Sequence, residues 1–348
     1  MQFRRSATLA ISFEDRQVAI LNFITKDRFT CSGECLDFLS RLDDWHTAER
    51  LFGYFPDNEP ASLAEQIASL VQFGALVVEG SPQAELDELY RREWQWGTVA
   101  GFYHFSVRDT PFVDGPATRE FLQKRKQWRA SPPSHQSNAD MLKIIPLPVT
   151  DLQLEPFALM RRRRSLRRFT QQPVDLKILA DCLFCGNGIV GFTDDEDFGH
   201  LPITMTPSGG ARNPFELHVY ARNVEGLEVG FYHYAALEHD LGLVRPGTVD
   251  VTEFLGGQQW PAQAAAIVFL VANFPRSMWK YHLAAAYRVV LMEAGFIAQN
   301  IALAATHHGL SAVPSGAVKE SLIEQYLGTP PVEASVLLTL SLGFANGN

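Results

Sequence analysis

Arg163-Arg164-Ser165-Leu166-Arg167-Arg168-Phe169 is the stretch on which the reading of this chain turns. Four arginines and a hydroxyl fall within six residues of a chain whose formal net charge is -9. Guanidinium groups stay charged at any physiological pH, and their planar fork matches phosphate oxygens. Beside Ser165, and just ahead of a helix-like stretch at Val174–Leu183, they predict an anchored phosphate. A solvated basic face is the plainer alternative.

Working outward, the next signal is Pro207-Ser208-Gly209-Gly210-Ala211-Arg212-Asn213-Pro214. Two adjacent glycines let backbone approach a flat ligand and aim N–H groups at it. Phe215, Leu217 and Val219 alternate with Glu216, His218 and Tyr220, which predicts a strand. Gly230-Phe231-Tyr232-His233-Tyr234 and Gly242-Leu243-Val244 continue a meander, and Ala264–Phe274 reads as a continuous apolar strand at its centre. A long helix is predicted from about Met278 to His308, capped at Ser277 after Pro275. Its apolar residues Ala284, Val289, Met292, Phe296, Ile297, Ile301 and Leu303 predict burial on most sides. Gly295 in its middle costs stability unless something packs close. Val313-Pro314-Ser315-Gly316-Ala317 predicts a turn, and Ala334–Leu342 a last buried strand ending at Gly343.

The 348 residues suggest two domains, and 46% hydrophobic content with 24 Phe allows a large core. The acidic balance argues against general nucleic-acid binding. The longest apolar run, Ala264–Phe274, is too short to cross a bilayer, and the N-terminus lacks a secretory pattern. No membrane partner and a cytoplasmic location are expected. With only 4 cysteines, a disulfide scaffold is not expected. Cys31 and Cys35, with Cys182 and Cys185, could make one zinc site. Each pair also falls among apolar residues at helical spacing, so burial explains them and no metal is assigned.

Residues 1–80 predict a small winged-helix-like domain. Thr8–Phe13 and Gln17–Thr25 read as strands joined at Glu14-Asp15-Arg16. Three helices follow. The first carries Cys35, Phe38, Leu39 and Leu42. The second carries Ala48, Leu51, Phe52 and Phe55 and stops at Pro56. The third opens on the capping-box pattern Ser62-Leu63-Ala64-Glu65 and ends at Gly74. Ala75–Glu79 adds a strand. The third helix has no Lys or Arg, which opposes DNA binding. The module resembles the peptide-recognition elements of ribosomal-peptide modification enzymes, which hold a leader peptide by strand addition; a packing or dimerisation domain is the alternative. Residues 81–150 read as a connector wrapping the second domain, helix-like at its start in Glu85–Trp94, continuing through Trp96–Val107 with the string Phe102-Tyr103-His104-Phe105, and broken at Pro132-Pro133-Ser134 and Pro146–Pro148.

The order Arg-Arg-Ser-x-Arg, Pro-Ser-Gly-Gly, a meander with Gly-x-Tyr-x-Tyr, then a long helix with Glu293-Ala294-Gly295 and Gln299-Asn300 resembles the nitroreductase superfamily over about residues 155–348. More narrowly it resembles the SagB-type dehydrogenases, which include the azoline oxidases. The resemblance implies an α+β nitroreductase-like fold over residues 151–348: a mostly antiparallel central sheet flanked by helices, with a long central helix. It implies a homodimer with FMN at the subunit interface. Arg163, Arg164, Ser165 and Arg167 would hold the FMN phosphate and ribityl end. Pro207, Ser208, Gly209 and Gly210 would approach the flavin from the other subunit, and Gly316 and Ala317 would present N–H groups near its N5. Many nitroreductases carry a further Lys/Arg pair beyond the last strand, absent here; Arg288 is the candidate replacement.

The azoline oxidases also use an adjacent Lys-Tyr, matched here by Lys280-Tyr281. With Ser277 as N-cap, Lys280 would sit at the third helical position. There the positive end of the helix dipole disfavours an ammonium and leaves an amine able to act as a base, with Tyr281 sharing or relaying the proton. The expected activity is FMN-dependent dehydrogenation of an azoline to a thiazole or oxazole in a ribosomally made precursor peptide, alongside other peptide-modifying enzymes, with oxygen reoxidising the flavin. One alternative is an NAD(P)H-dependent flavin reductase acting on dehydroamino acids or nitro/quinone compounds. Another is a non-catalytic scaffold subunit of a peptide-modifying complex.

Overall fold

The computed structural model describes residues 1–14, 17–54, 59–109, 155–195, 199–281 and 284–346, with single positions between 120 and 127. The expected breaks at Pro132-Pro133-Ser134 and Pro146–Pro148, Asp15 and Arg16 of the first turn, and Phe55 and Pro56 lie outside the described residues.

The first elements are β1 Gln2–Arg5, β2 Leu9–Glu14, β3 Gln17–Asn22, β4 Arg28–Cys31, α1 Gly33–Ser40, β5 His46–Thr47, α2 Ala48–Phe52, α3 Pro60–Gln72 and β6 Leu76–Val78. They form two small sheets, β5-β1-β6 and β2-β3-β4. Three of the strands, β1, β4 and β5, escaped the sequence reading. They are two to four residues long and carry polar residues, so alternation has little to act on. The helix α3 starts at Pro60 with Glu59 at its N-cap and no side-chain cap bond, so Ser62 is inside the helix and does not cap it. Proline, with no N–H to satisfy, suits that first position. Gly74 then turns the chain with φ 63.

Two helices, α4 Pro82–Glu93 and α5 Gly97–Val107, link this module to the rest. Asp87 of α4 accepts from the Ser6 hydroxyl at 2.8 Å and the Ala7 N–H at 2.6 Å, and pairs with Arg4. Further along, Trp94, Trp96, His104 and Phe105 build an aromatic cluster with Phe274 and Tyr287. The apolar core is therefore continuous from Phe23 through Tyr90 to the large sheet.

After α6 Glu155–Arg162, α7 Leu176–Asn187 and the hairpin β7 Ile189–Asp195 with β8 Gly199–Thr204 come the sheet strands β9 Phe215–Ala221, β10 Gly230–Ala235 and β11 Asp240–Pro246. The chain continues through α8 Val251–Phe254, β12 Ala266–Asn273, α9 Phe274–Met278, α10 Ala285–His307, β13 Ser311–Ser315, α11 Glu320–Leu327 and β14 Ala334–Gly343. Six strands pair antiparallel in the order β11-β10-β9-β12-β14-β13. On one face Leu217, Val219, Val268 and Leu270 pack under α10 and α7. On the other, Phe231, Phe269, Val271 and Val336 meet Phe254 and Ile323. A central strand covered on both faces must be apolar where it is buried, as β12 is up to Asn273 at its end. Gly186 lets α7 close on α10, because a β-carbon there would stand 2.6 Å from Ile301.

Three expectations are corrected. The long helix begins at Ala285, and Ser277 belongs to the separate helix α9. Val313–Ser315 lie in a strand, with Pro314 tolerated because β13 pairs on one side only. Met292 and Phe296 are about half exposed and nothing among the described residues stands within 4 Å of a β-carbon on Gly295, so the described residues leave one apolar face of α10 uncovered. That helix has the length and hydropathy of a membrane span, yet Val290, Ala294, Ile297 and Ile301 are buried in the core.

Candidate functional site

The turn at Pro207–Pro214 is bound from several sides. Gly209 donates its N–H to Glu293 Oε1 of α10 at 2.8 Å. Ser208 Oγ accepts from the Asn213 N–H at 2.9 Å, and the Thr204 hydroxyl donates to Asn213 Oδ1 at 2.9 Å. Asn300 of α10 donates to Thr206 Oγ1 at 2.9 Å, just before the turn. Gly210, at φ 62, occupies the left-handed region that suits glycine. Burial pushes the Glu293 carboxyl above its ordinary range, against the bonds from Gly209 and Ser208 that favour the charged form.

Lys280 and Tyr281 stand against this turn. A β-carbon on Gly210 would collide with the Tyr281 hydroxyl and lie 3.0 Å from Lys280 Nζ. The glycine pair and the Lys-Tyr pair, read separately in the sequence, share one place. The local setting differs from the expectation. Lys280 and Tyr281 follow the C-terminal end of α9, where both N–H groups bond the Ser277 carbonyl at 3.2 and 2.9 Å. The helix N-terminus that was to act on the amine lies elsewhere, because Ser277 and Pro275 signal a helix of five residues.

Two further contacts join this segment to the turn. Arg276 donates to the Asn213 carbonyl at 2.9 Å and pairs with Glu216. Arg212 lies over the Trp279 ring, 5.0 Å from its centroid. Glu216 also meets His233 Nε2 at 2.9 Å. Burial raises its carboxyl, but His233 and Arg276 outweigh burial and hold it below the usual range. None of these roles was read from the sequence. Each depends on neighbours far apart in the chain, and the strand alternation at Glu216 was the only local sign.

The arginine cluster sits elsewhere in the chain. Leu166 donates its N–H to Ser311 Oγ at 2.9 Å, which pins the cluster to the start of β13. Arg163 and Ser165 are half-buried and 3.4 Å apart, Arg164 is tied to backbone carbonyls, and Arg167 lies over Trp260. Among the described residues, no carboxylate forms an ion pair with Arg163, Arg164 or Arg167. Uncompensated guanidinium groups beside a hydroxyl fit a phosphate. Gly316 and Ala317 follow the other end of β13. The Ala317 N–H is used by Ser315 Oγ at 3.2 Å, as that of Gly209 is by Glu293, so neither is spare for a ligand. Arg288, exposed in the first turns of α10, is about 30 Å along the helix from the cluster end. It does not complete the cluster within one chain.

The two cysteine pairs lie in different cores, Cys31 and Cys35 in the N-terminal module and Cys182 under α10. Among the described residues no group of three or more His, Cys, Asp or Glu is set to hold a metal.

The model of the nitroreductase family matches residues 160–344, from the arginine cluster to the end of β14. The chain belongs to the nitroreductase family. The family is one of FMN-dependent oxidoreductases with an α+β nitroreductase-like fold. The chain is 32% identical over 181 residues to a protein of Methanocaldococcus jannaschii described as a nitroreductase, covering 51% of this chain and 86% of that one. It is 31% identical over 137 residues to the trifolitoxin-processing protein TfxB of Rhizobium leguminosarum bv. trifolii, covering 38% of this chain and 37% of that protein. Among solved structures, a nitroreductase of Ralstonia eutropha aligns at 22% identity and TM-score 0.47, covering 59% of this chain and 89% of that one.

Proposed function

We propose that this nitroreductase-family chain is a SagB-type, FMN-dependent dehydrogenase that oxidises an azoline to an azole in a ribosomally made peptide. The observation carrying the reading is the convergence of Gly210 with Lys280 and Tyr281. FMN, when bound, supplies an acceptor for the hydride, and oxygen regenerates it. The residues of the chain do the rest. In this reading Lys280 is the base for the carbon-bound proton and Tyr281 shares or relays it; the support is their placement against the bare Gly210, since the helix N-terminus expected to favour an uncharged amine is not at this position. Arg163, Arg164, Ser165 and Arg167 would hold the phosphate and ribityl end. Pro207, Ser208, Gly209 and Gly210 would line the ring with Gly316 and Ala317.

A homodimer completes this arrangement. The glycine turn meets α10 near Val289 and Glu293. The arginine cluster meets the chain beyond the other end of α10, at Ser311. The two lie about 20 Å apart along the helix, so a second copy running antiparallel through the uncovered face brings one copy's arginines to the other's turn. Gly295 leaves space there for a close partner, and Leu291, Met292 and Phe296 supply apolar area.

The peptide side of the reading draws on the trifolitoxin-processing relative and on the N-terminal module. Among the described residues the strand β4 pairs only with β3. It borders a groove of about 860 Å³ shared with α1 and α3, floored by Phe29, Phe38, Leu63 and Ile67. An open strand edge beside an apolar groove suits an added peptide strand.

The test is mass spectrometry of the precursor peptide. Lys280→Ala is expected to abolish the two-hydrogen loss while leaving the flavin absorbance intact; retained turnover would remove Lys280 from the mechanism. The match to the Methanocaldococcus nitroreductase favours one other reading, an NAD(P)H-dependent reductase. Turnover that strictly needs NAD(P)H and consumes no oxygen would select it.

A further inference from the structure

We propose that Trp96 is a positioning residue for the Lys280–Tyr281 segment, which makes the connector a working part of the site. The inference rests on the reading of Lys280 and Tyr281 as the reacting pair. These two residues belong to no helix; Tyr281 is 37% exposed, Lys280 is half-buried, and Trp279 before them is 61% exposed. A segment with so little burial of its own needs outside partners to keep one geometry.

The connector supplies them. Trp96, itself buried, donates its indole N–H to the Tyr281 carbonyl at 2.9 Å. The neighbouring Gln95 N–H reaches Met278 Sδ at 3.3 Å. Both flanks of the segment are gripped by the same corner. Phe274, at the start of α9, meets Trp94 and Trp96 edge-on with centroids 5.6 and 5.7 Å apart. Tyr287, in the first turn of α10, meets Trp96 at 5.5 Å and bonds His104 Nδ1 through its hydroxyl at 2.6 Å.

The opposite wall is the glycine turn, joined to the segment by Arg276 and Arg212. Lys280 and Tyr281 are thus held between two walls, one from the sheet and one from the connector. Packing alone would be met by any flat aromatic at position 96. The N–H adds a fixed point on the main chain of a reacting residue, and displacement by about 1 Å at such a residue costs on the order of a hundredfold in rate.

The decisive variant is full-length Trp96→Phe, which keeps an aromatic ring and removes the donor. Its thermal midpoint is expected to fall by a few degrees, from the smaller ring and the lost bond, with flavin absorbance at the parental level. Amide hydrogen exchange over residues 277–287 is expected to rise at least tenfold. With a synthetic peptide carrying one thiazoline, kcat is expected to fall ten- to a hundredfold with KM unchanged. Parental exchange and parental kcat in Trp96→Phe, beside an inactive Lys280→Ala, would overturn the inference while leaving the reaction intact. A parent that does not oxidise the probe peptide would count against the reaction, and the exchange measurement would still decide the role of Trp96. Should Trp96→Phe not fold, benzothienylalanine placed at position 96 keeps the bicyclic ring at similar volume and removes only the N–H donor. A several-fold rise in the same exchange is then expected, and unchanged exchange would overturn the proposal.

Discussion

Gly210 is the position where a single added methyl group should be most informative. Its φ of 62 strains any other residue, by roughly 1–2 kcal/mol, and the new β-carbon would press on Lys280 and Tyr281. Gly210→Ala is therefore expected to lower the thermal midpoint by a few degrees and turnover at least tenfold. Parental turnover in that variant would show that the Lys-Tyr pair does not depend on the turn. At this scale the sequence exposed the residue types and hid their partners. Glu293 was visible as part of a Glu-Ala-Gly motif. Its bond to the Gly209 N–H spans 84 positions, and nothing local announces it.

His104 shows how one element is fixed to another. Burial, with the Arg108 charge adding to it, depresses its imidazole to about 3 from an ordinary 6.5. The unfolded chain therefore takes up the proton first. The contribution of His104 to stability is whole above pH 6.5 and drains away as pH falls toward 3. Glu324 of α11, raised to about 6 by burial against the pull of Arg108, works the other way as pH falls from about 6 to 4.5. It offsets part of the loss over that narrower window. In urea titrations, His104→Phe is expected to cost about 1 kcal/mol at pH 7.5, where the Tyr287 hydroxyl loses its partner. That gap should close by pH 4.5; a constant gap would contradict the assignment. The inner strands of the large sheet were legible, since Phe215, Leu217 and Val219 alternate and residues 266–272 are apolar throughout; the short polar strands and the β7–β8 hairpin were not. The start of the long helix was misread for a physical reason. Pro275 and Ser277 are real start signals, but for α9, and a break between two apolar helices leaves periodicity almost unchanged.

The molecule as a whole presents a sheet covered on both faces and a central helix covered on one. Phe296, 47% exposed beside Gly295, lies at the middle of the uncovered face. Phe296→Glu is expected to yield a monomer by sedimentation and to weaken FMN binding at least tenfold, because the composite site opens. A dimeric, yellow variant would rule out this face as the interface. The sequence predicted burial of α10 on most sides, and a hydropathy pattern does not separate an apolar face covered by the rest of the chain from one left exposed. Arg161 to Arg168 carry a last consequence. Six guanidinium groups fall within eight positions, with no carboxylate ion-paired to them among the described residues, and like charges so close in the chain repel. The empty protein bears that repulsion in full, and any dianion seated among them relieves it. On the proposed reading of this cluster as a phosphate site, a bound phosphate would ease that crowding of like charge, and added salt is expected to raise the thermal midpoint of the flavin-free chain.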